Sequence, residues 1–319
     1  MKETSFIAAR SVAEACRLLQ EHPQSVPMAG GTDLLVLKNF KLISPRPIVY
    51  LKSIPGLSTV RPEKEGWVAI GALATLDEIV KHPSIRQGVP LLARAAAGVA
   101  SPQIRNKATL GGNLCLNSRC WFYNRSPFWR AEFPHCRKAS GGDKCYVMPK
   151  SRKGCFALQS GDTGGTLVAL GAKLRLVSAA SERVIDVEDF YLGDGIRYLD
   201  LKAGEILTEI LLPPPGQAGA FVKFRPQDNM DFATFTLAVV PPVSGAGARI
   251  VLGCAASRPL RARGAEEMLD AGAPAEDVAR KTAEEARLVS FVRGPVDFKK
   301  QVIAAKMADV LAGLKSQPR

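Results

Sequence analysis

Five of the chain's seven cysteines, Cys115, Cys120, Cys136, Cys145 and Cys155, crowd into 41 of its 319 residues. Even scattering would put about one there, so packing alone does not explain the cluster. The surrounding segment, residues 116–160, shows neither the 3.6-residue nor the two-residue apolar period that lets a helix or strand bury a face. It reads as an insert that something other than its own core must hold together. An odd number of cysteines in a chain of this size does not suggest a disulfide framework. Thiolates are soft ligands, and four of them suit either zinc or an iron–sulfur cube. Structural zinc usually takes close pairs from one knuckle, whereas from Cys120 onward the separations are 16, 9 and 10 positions. Cluster, zinc and unrelated thiols all stay open on chemistry, and spacing does not choose between Cys115 and Cys120. Cys16 and Cys254 lie in apolar surroundings and read as buried small hydrophobes.

On either side of the insert the pattern is regular. Ser11 to Glu14 and Thr75 to Glu78 are capping boxes that open helices, and Pro83 should stop the second. With Val26–Ala29 as a short apolar run and Ile48–Leu51 as a buried strand, the first fifty residues read β-α-β with a parallel sheet. Trp67–Ile70 reads as a strand, Pro90–Ala100 as a helix, and Ile104–Asn113 as loop. Regular structure resumes at Leu167–Leu170 and Lys173–Val177, and Glu205–Leu212 is strand-like. The run Pro213-Pro214-Pro215 is the clearest domain boundary. Beyond it, strands at Ala220–Phe224, Thr234–Val240 and Ile250–Ala255 precede helices at Ala275–Val289 and Val296–Leu314. The expected division is residues 1–215 and 216–319, both of α+β class.

Two paired-glycine turns stand out. Ala29-Gly30-Gly31-Thr32-Asp33 follows a strand, and paired glycines let backbone N–H groups approach an anion such as a pyrophosphate. Thr109-Leu110-Gly111-Gly112-Asn113 is the second. Each alone is a weak signal. A P-loop is excluded because no Lys-Ser/Thr follows, and the spaced dinucleotide fingerprint is missing.

Taken in order, MAGGTDL, IRNKATLGGNL, SGDTGGTLVALGA, GEILTEILLP and FVKFRPQDNMDFA resemble the flavin subunit of xanthine dehydrogenase and carbon monoxide dehydrogenase-type molybdenum hydroxylases. The resemblance runs over essentially the whole chain. It implies a vanillyl-alcohol-oxidase-like (PCMH-type) FAD domain of two subdomains, followed by a C-terminal domain like that of the carbon monoxide dehydrogenase flavoprotein. Ala29, Gly30, Gly31, Thr32 and Asp33 would cradle the FAD pyrophosphate. Thr109, Gly111, Gly112 and Asn113 would form the second FAD loop. Asp162 would meet the ribityl or pyrophosphate region, Leu207 would pack on the isoalloxazine, and Lys223 would lie near the flavin. Gly164-Gly165 departs from the bulkier family pattern after the aspartate. His22, His82 and His135 are not placed for covalent attachment, so non-covalent FAD is expected.

The runs CLNSRCWFYNRSPFWR and HCRKASGGDKCYVMPKSRKGCFA resemble the insert of 4-hydroxybenzoyl-CoA reductase β subunits, which binds a [4Fe–4S] cluster. Carried over by position, the ligands are Cys120, Cys136, Cys145 and Cys155, with Cys115 set aside. Trp121, Phe122, Tyr123, Phe128 and Trp129 alternate with arginines. That mixture can stack on single-stranded nucleic acid; the reading adopted is an apolar shell around the cluster, with no nucleic-acid partner.

The formal net charge is +13, and residues 116–160 hold nine lysines and arginines against Glu132 and Asp143 alone, an excess of +7. Part would offset a four-thiolate centre, and the rest suggests a docking face for an acidic ferredoxin. No hydrolytic triad or molybdopterin site is evident, so this chain has no substrate chemistry of its own and works through its cofactors. The resemblance implies a large molybdenum subunit and a small subunit with two [2Fe–2S] clusters, assembled as a dimer of heterotrimers. A free-standing flavin oxidase, or a zinc or nucleic-acid module, are the competing readings. No stretch nears the roughly 20 apolar residues of a membrane span, and Met1–Phe6 has no apolar leader core, so a cytoplasmic protein is expected. The glycine loops lie outside the insert, and the two sites read as independent.

Overall fold

A computed structural model describes residues 5–214, 216, 218–227, 230–243, 245–289 and 294–315. Pro215, Asp228, Asn229 and the first four residues lie outside that set. The proline boundary, part of the last resemblance motif and the reading of the N-terminus therefore fall partly beyond the described residues.

Among the described residues, three sheets organise the fold. Strands β1 (Phe6–Ala8), β2 (Val26–Met28) and β3 (Ile48–Tyr50) form a small parallel sheet in the order β1-β3-β2. The helix Val12–Glu21 crosses between the first two, capped by Ser11, whose hydroxyl accepts from Glu14 N. The capping box is only half formed, because the Glu14 carboxylate reaches past Ser11 to Arg10 N at 2.7 Å. At Thr75 both halves form, opening the helix Leu76–Lys81. Pro83 ends that helix and at once begins the next, Pro83–Gly88, because proline at the first turn has no N–H to leave unpaired.

Strands β4 (Val60–Pro62), β5 (Val68–Gly71), β6 (Lys173–Val177), β7 (Glu182–Asp186) and β8 (Ile206–Leu212) make an antiparallel sheet in the order β4-β5-β8-β6-β7. Its largest core joins Ile70, Leu76, Leu91, Leu110, Leu114, Leu167 and Phe190 with Ala238, Val240 and Val251 from beyond the prolines. Strands β9 (Ala220–Phe224), β10 (Phe235–Val240), β11 (Arg249–Gly253) and β12 (Leu260–Arg261) form the third sheet, antiparallel, in the order β12-β11-β10-β9. The helices Ala275–Glu285 and Val296–Lys315 cover it over a second core of Phe235, Leu237, Ile250, Val278, Ile303 and Met307.

One helix joins the two larger sheets. Asp162–Ala169 is buried at every position. A Cβ on Gly165 would stand 3.3 Å from Gly253 Cα, so glycine here lets the helix lie close against β11. Ile104–Asn113, read as loop, instead holds the helices Pro102–Arg105 and Leu110–Leu114. Both are too short to show an apolar period, and Ser101 and Thr109 cap them.

Candidate functional site

The two glycine turns lie together but are built differently. In the first, Gly31 takes φ +73°, and a Cβ on Gly30 would stand 1.9 Å from Lys107 O, in the approach to the second turn. The N–H groups of Gly30, Gly31, Thr32 and Asp33 meet no acceptor among the described residues. They form a cluster of uncommitted donors suited to an anion. In the second turn the donors are committed: Leu110 N to Ala74 O, Gly111 N to Ala72 O and Gly112 N to Thr109 Oγ1. Its glycines serve close packing, since a Cβ on Gly111 would lie 2.7 Å from Ala72 Cβ. Asn113 turns inward, and its Oδ1 accepts from Thr163 N (3.2 Å) and Thr163 Oγ1 (2.7 Å).

That contact leads to Asp162, beside Thr163. Asp162 Oδ2 lies 2.7 Å from Lys223 Nζ on β9, and Lys223 also donates to Gly98 O at 2.9 Å. Both side chains are buried, and burial pushes the Asp162 carboxyl up although Lys223 pulls it down. Cys254 approaches Asp162 Oδ1 at 3.7 Å from a backbone with φ +58°, so it is more than the small hydrophobe expected. Cys16 likewise donates its thiol to Val177 O. Leu207 is buried on β8 within the largest core. A chain of contacts runs from Gly30, packed on Lys107, along the second turn to Asn113, which bonds Thr163, beside the Asp162–Lys223 pair. The open donors lie at one end of that chain and the buried ion pair at the other.

The insert has its own interior. Cys120, Cys136, Cys145 and Cys155 line one cavity together with Phe122, Tyr123, Lys138, Tyr146 and Val147. Cys115 is not part of it; burial pushes that thiol up to about 12. Among the described residues no three His, Cys, Asp or Glu side chains stand close enough to hold a metal ion. Tetrahedral Zn–S bonds of about 2.3 Å would require sulfurs roughly 3.8 Å apart. Burial pushes Cys120 and Cys155 upward, the latter to about 11. Backbone N–H groups oppose this, those of Phe122 and Tyr123 on Cys120 and that of Ala157 on Cys155. Donors aimed at sulfur are the type of contact that stabilises a thiolate ligand.

The aromatic shell is narrower than expected. Phe122 and Tyr123 are 7% and 6% exposed, and Phe122, Phe133 and Tyr146 pack with centroids 4.9–5.3 Å apart. Trp121, Phe128 and Trp129 instead face outward at 47%, 85% and 40% exposure, with Arg125 stacked 3.6 Å from the Trp121 ring centroid. Sequence alternation did not sort them, because the irregular backbone follows neither period.

The two regions, expected to be independent, are in contact. Arg119, next to Cys120, pairs with Asp33 of the first glycine turn at 2.5 Å. Arg130 donates to Phe40 O and Lys41 O just beyond that turn's helix, Leu34–Asn39. Several basic residues are thereby spent inside the structure. Arg137 donates to Asp143 O, Ser151 O and Gly154 O, and Lys138 is enclosed, with burial pulling its ammonium down to about 8. Lys144, Lys150, Arg152 and Lys153 remain exposed.

The family described as FAD binding domain in molybdopterin dehydrogenase matches residues 2–215. The chain is 31% identical over 283 residues to the nicotinate dehydrogenase FAD-subunit of Eubacterium barkeri, covering 86% of this chain and 81% of that one. It is 29% identical to the aldehyde oxidoreductase FAD-binding subunit PaoB of Escherichia coli K12, with 86% and 88% covered. Among solved structures, reconstituted CO dehydrogenase from Oligotropha carboxidovorans shares the fold with a TM-score of 0.78, at 24% identity and with 97% and 96% covered. Among the described residues no helix is long and apolar enough to cross a membrane.

Proposed function

The chain belongs to the family of FAD-binding domains in molybdopterin dehydrogenases, an oxidoreductase subunit that binds FAD, and on that premise we propose that it relays electrons through FAD and a [4Fe–4S] cluster. The carrying observation is that four well-separated cysteines line one cavity, tied to a glycine turn with open N–H donors. The 29–33 turn would hold the pyrophosphate, non-covalently, with the 109–113 turn as the wall behind it. Asp162 and Lys223 would close the far end of the cofactor, and Leu207 would pack on its ring. Cys120, Cys136, Cys145 and Cys155 would ligate the cluster.

Bound FAD supplies exchange between one- and two-electron steps; the protein supplies position, exclusion of water and charge. The substrate chemistry belongs to partner subunits, a large one with molybdenum cofactor and a small one with two [2Fe–2S] clusters, arranged as a dimer of heterotrimers. The insert favours a complete enzyme of 4-hydroxybenzoyl-CoA reductase type, in which electrons enter and a phenolic hydroxyl is removed from an aromatic thioester. A second reading, an N-heterocycle hydroxylase, is favoured by the similarity to a nicotinate dehydrogenase subunit. Lys144, Lys150, Arg152 and Lys153 form the expected docking face for an acidic ferredoxin.

Protein purified without oxygen tests this reading. Flavin absorption with a broad iron–sulfur shoulder and about four irons per chain is expected; zinc without flavin overturns it. Reduction by ferredoxin should slow as salt rises, since complementary charge steers encounter. A rate independent of ionic strength removes the docking face.

A further inference from the structure

Lys138 lies on the wall of the four-cysteine cavity. Its Nζ contacts Asn117 Oδ1 (2.6 Å), Ser118 O (2.8 Å), Gly195 O (2.7 Å) and Ser118 Oγ. Tyr123 and Tyr198 flank it, with ring centroids at 4.7 and 5.4 Å. An ammonium has three protons to donate, so its hydrogen bonding is complete. Its charge is not balanced. All four contacts are neutral, and no carboxylate pairs with Lys138 among the described residues. Asp194 acts on it only at a distance: its Oδ2 accepts from Cys155 N and its Oδ1 from Ile196 N and Arg197 N, and it makes no hydrogen bond or ion pair with Lys138 among the described residues. A cation withdrawn from water without a counter-ion is costly. The sulfurs of Cys155 and Cys120, as thiolates, act on this ammonium more strongly than Asp194 does, and that of Cys136 follows.

We infer that Lys138 is the fixed counter-charge of the cysteine centre and sets its reduction potential. This rests on the iron–sulfur reading above. Adding one electron, from a low-potential donor such as dithionite or ferredoxin, adds one negative charge to the centre and no proton. A neighbouring ammonium stabilises the reduced form more than the oxidised form, and so raises the potential. The same ammonium draws together residues 117–118, 138 and 195, which holds the cavity wall in place.

The test uses the full chain with its cofactors, comparing Lys138→Met, Lys138→Gln and Lys138→Arg by iron content and by a potential titration followed by electron paramagnetic resonance. The Met and Gln variants should keep their iron and become harder to reduce, while Arg stays near the wild-type potential. Gln preserves hydrogen bonding without charge, so it answers the question if Met fails to load. An iron-loaded Gln variant with wild-type potential overturns the inference. If the wild-type centre proves to hold zinc, the iron–sulfur reading fails separately. The counter-charge then predicts faster zinc loss to a chelator in Met and Gln than in Arg. A wild-type site that binds neither metal overturns both.

Discussion

Two buried carboxylates respond to acid in opposite ways because their surroundings differ. Burial raises Asp162 despite Lys223, whereas Glu205, although also burdened by desolvation, is held below the usual range by Arg183, which donates to both its oxygens at 2.7 and 2.8 Å. A depressed carboxyl contributes stability that is present above its unfolded value, near 4.5, and is lost as pH falls through the folded value. Glu205→Gln should therefore flatten the acid limb of thermal stability below about pH 4.5; an unchanged limb would show that the pair contributes nothing there. For Asp162 the sign reverses, since a raised carboxyl costs stability as pH climbs past the unfolded value. Lys223→Met leaves that carboxylate buried without its cation, a loss of ~3–5 kcal/mol near neutral pH. Denaturant unfolding should show the loss shrinking toward acid pH as Asp162 takes up a proton. The sequence singled out both Asp162 and Lys223, through resemblance. It did not reveal that they pair, because β9 reaches the helix at Asp162 only through the third sheet, whose β10 and β11 pack against that helix.

At the scale of elements, a strand such as β6 was legible because Leu174 and Leu176 are buried between half-exposed neighbours, whereas β7 and the helix Asp162–Ala169 went unread. The helices at Pro102–Arg105 and Leu110–Leu114 were not legible either, being shorter than two turns and full of polar and glycine residues. The two glycine turns looked alike in sequence and proved different in use, one presenting N–H donors and the other consuming its own. Substitution separates them. Gly30→Ala places a methyl against Lys107 O and forces the two turns apart, with an expected loss of about 1–3 kcal/mol. The FAD content of the purified variant should fall with it. Gly112→Ala meets only Thr109 Oγ1, at 2.9 Å, a side-chain atom that can rotate, so it should retain far more FAD. Equal flavin content in the two variants would remove the distinction between donor turn and wall.

The whole molecule joins what the sequence kept apart. Arg119 carries the backbone of the insert into Cys120 and places its guanidinium on Asp33, inside the turn with the open donors. Asp33 would otherwise put a carboxylate beside donors suited to an anion, and Arg119 neutralises it. Whatever orders the insert around its cysteines also orders Arg119, and so favours the turn in its anion-binding form. The coupling is necessarily reciprocal: if loading the cysteine centre tightens FAD binding by some factor, FAD tightens the centre by the same factor. Cys136→Ser should thus lose iron and also bind FAD severalfold more weakly, as followed by flavin fluorescence on dilution. In the reverse direction, wild-type protein stripped of FAD should lose iron to a chelator faster. Arg119→Ala is the control that isolates the path, because it leaves all four cysteines in place. With the link cut, FAD affinity should already be low and should no longer respond to iron removal. If the Cys136 variant keeps wild-type FAD affinity, the contact between insert and turn is mere packing, and the two centres load independently.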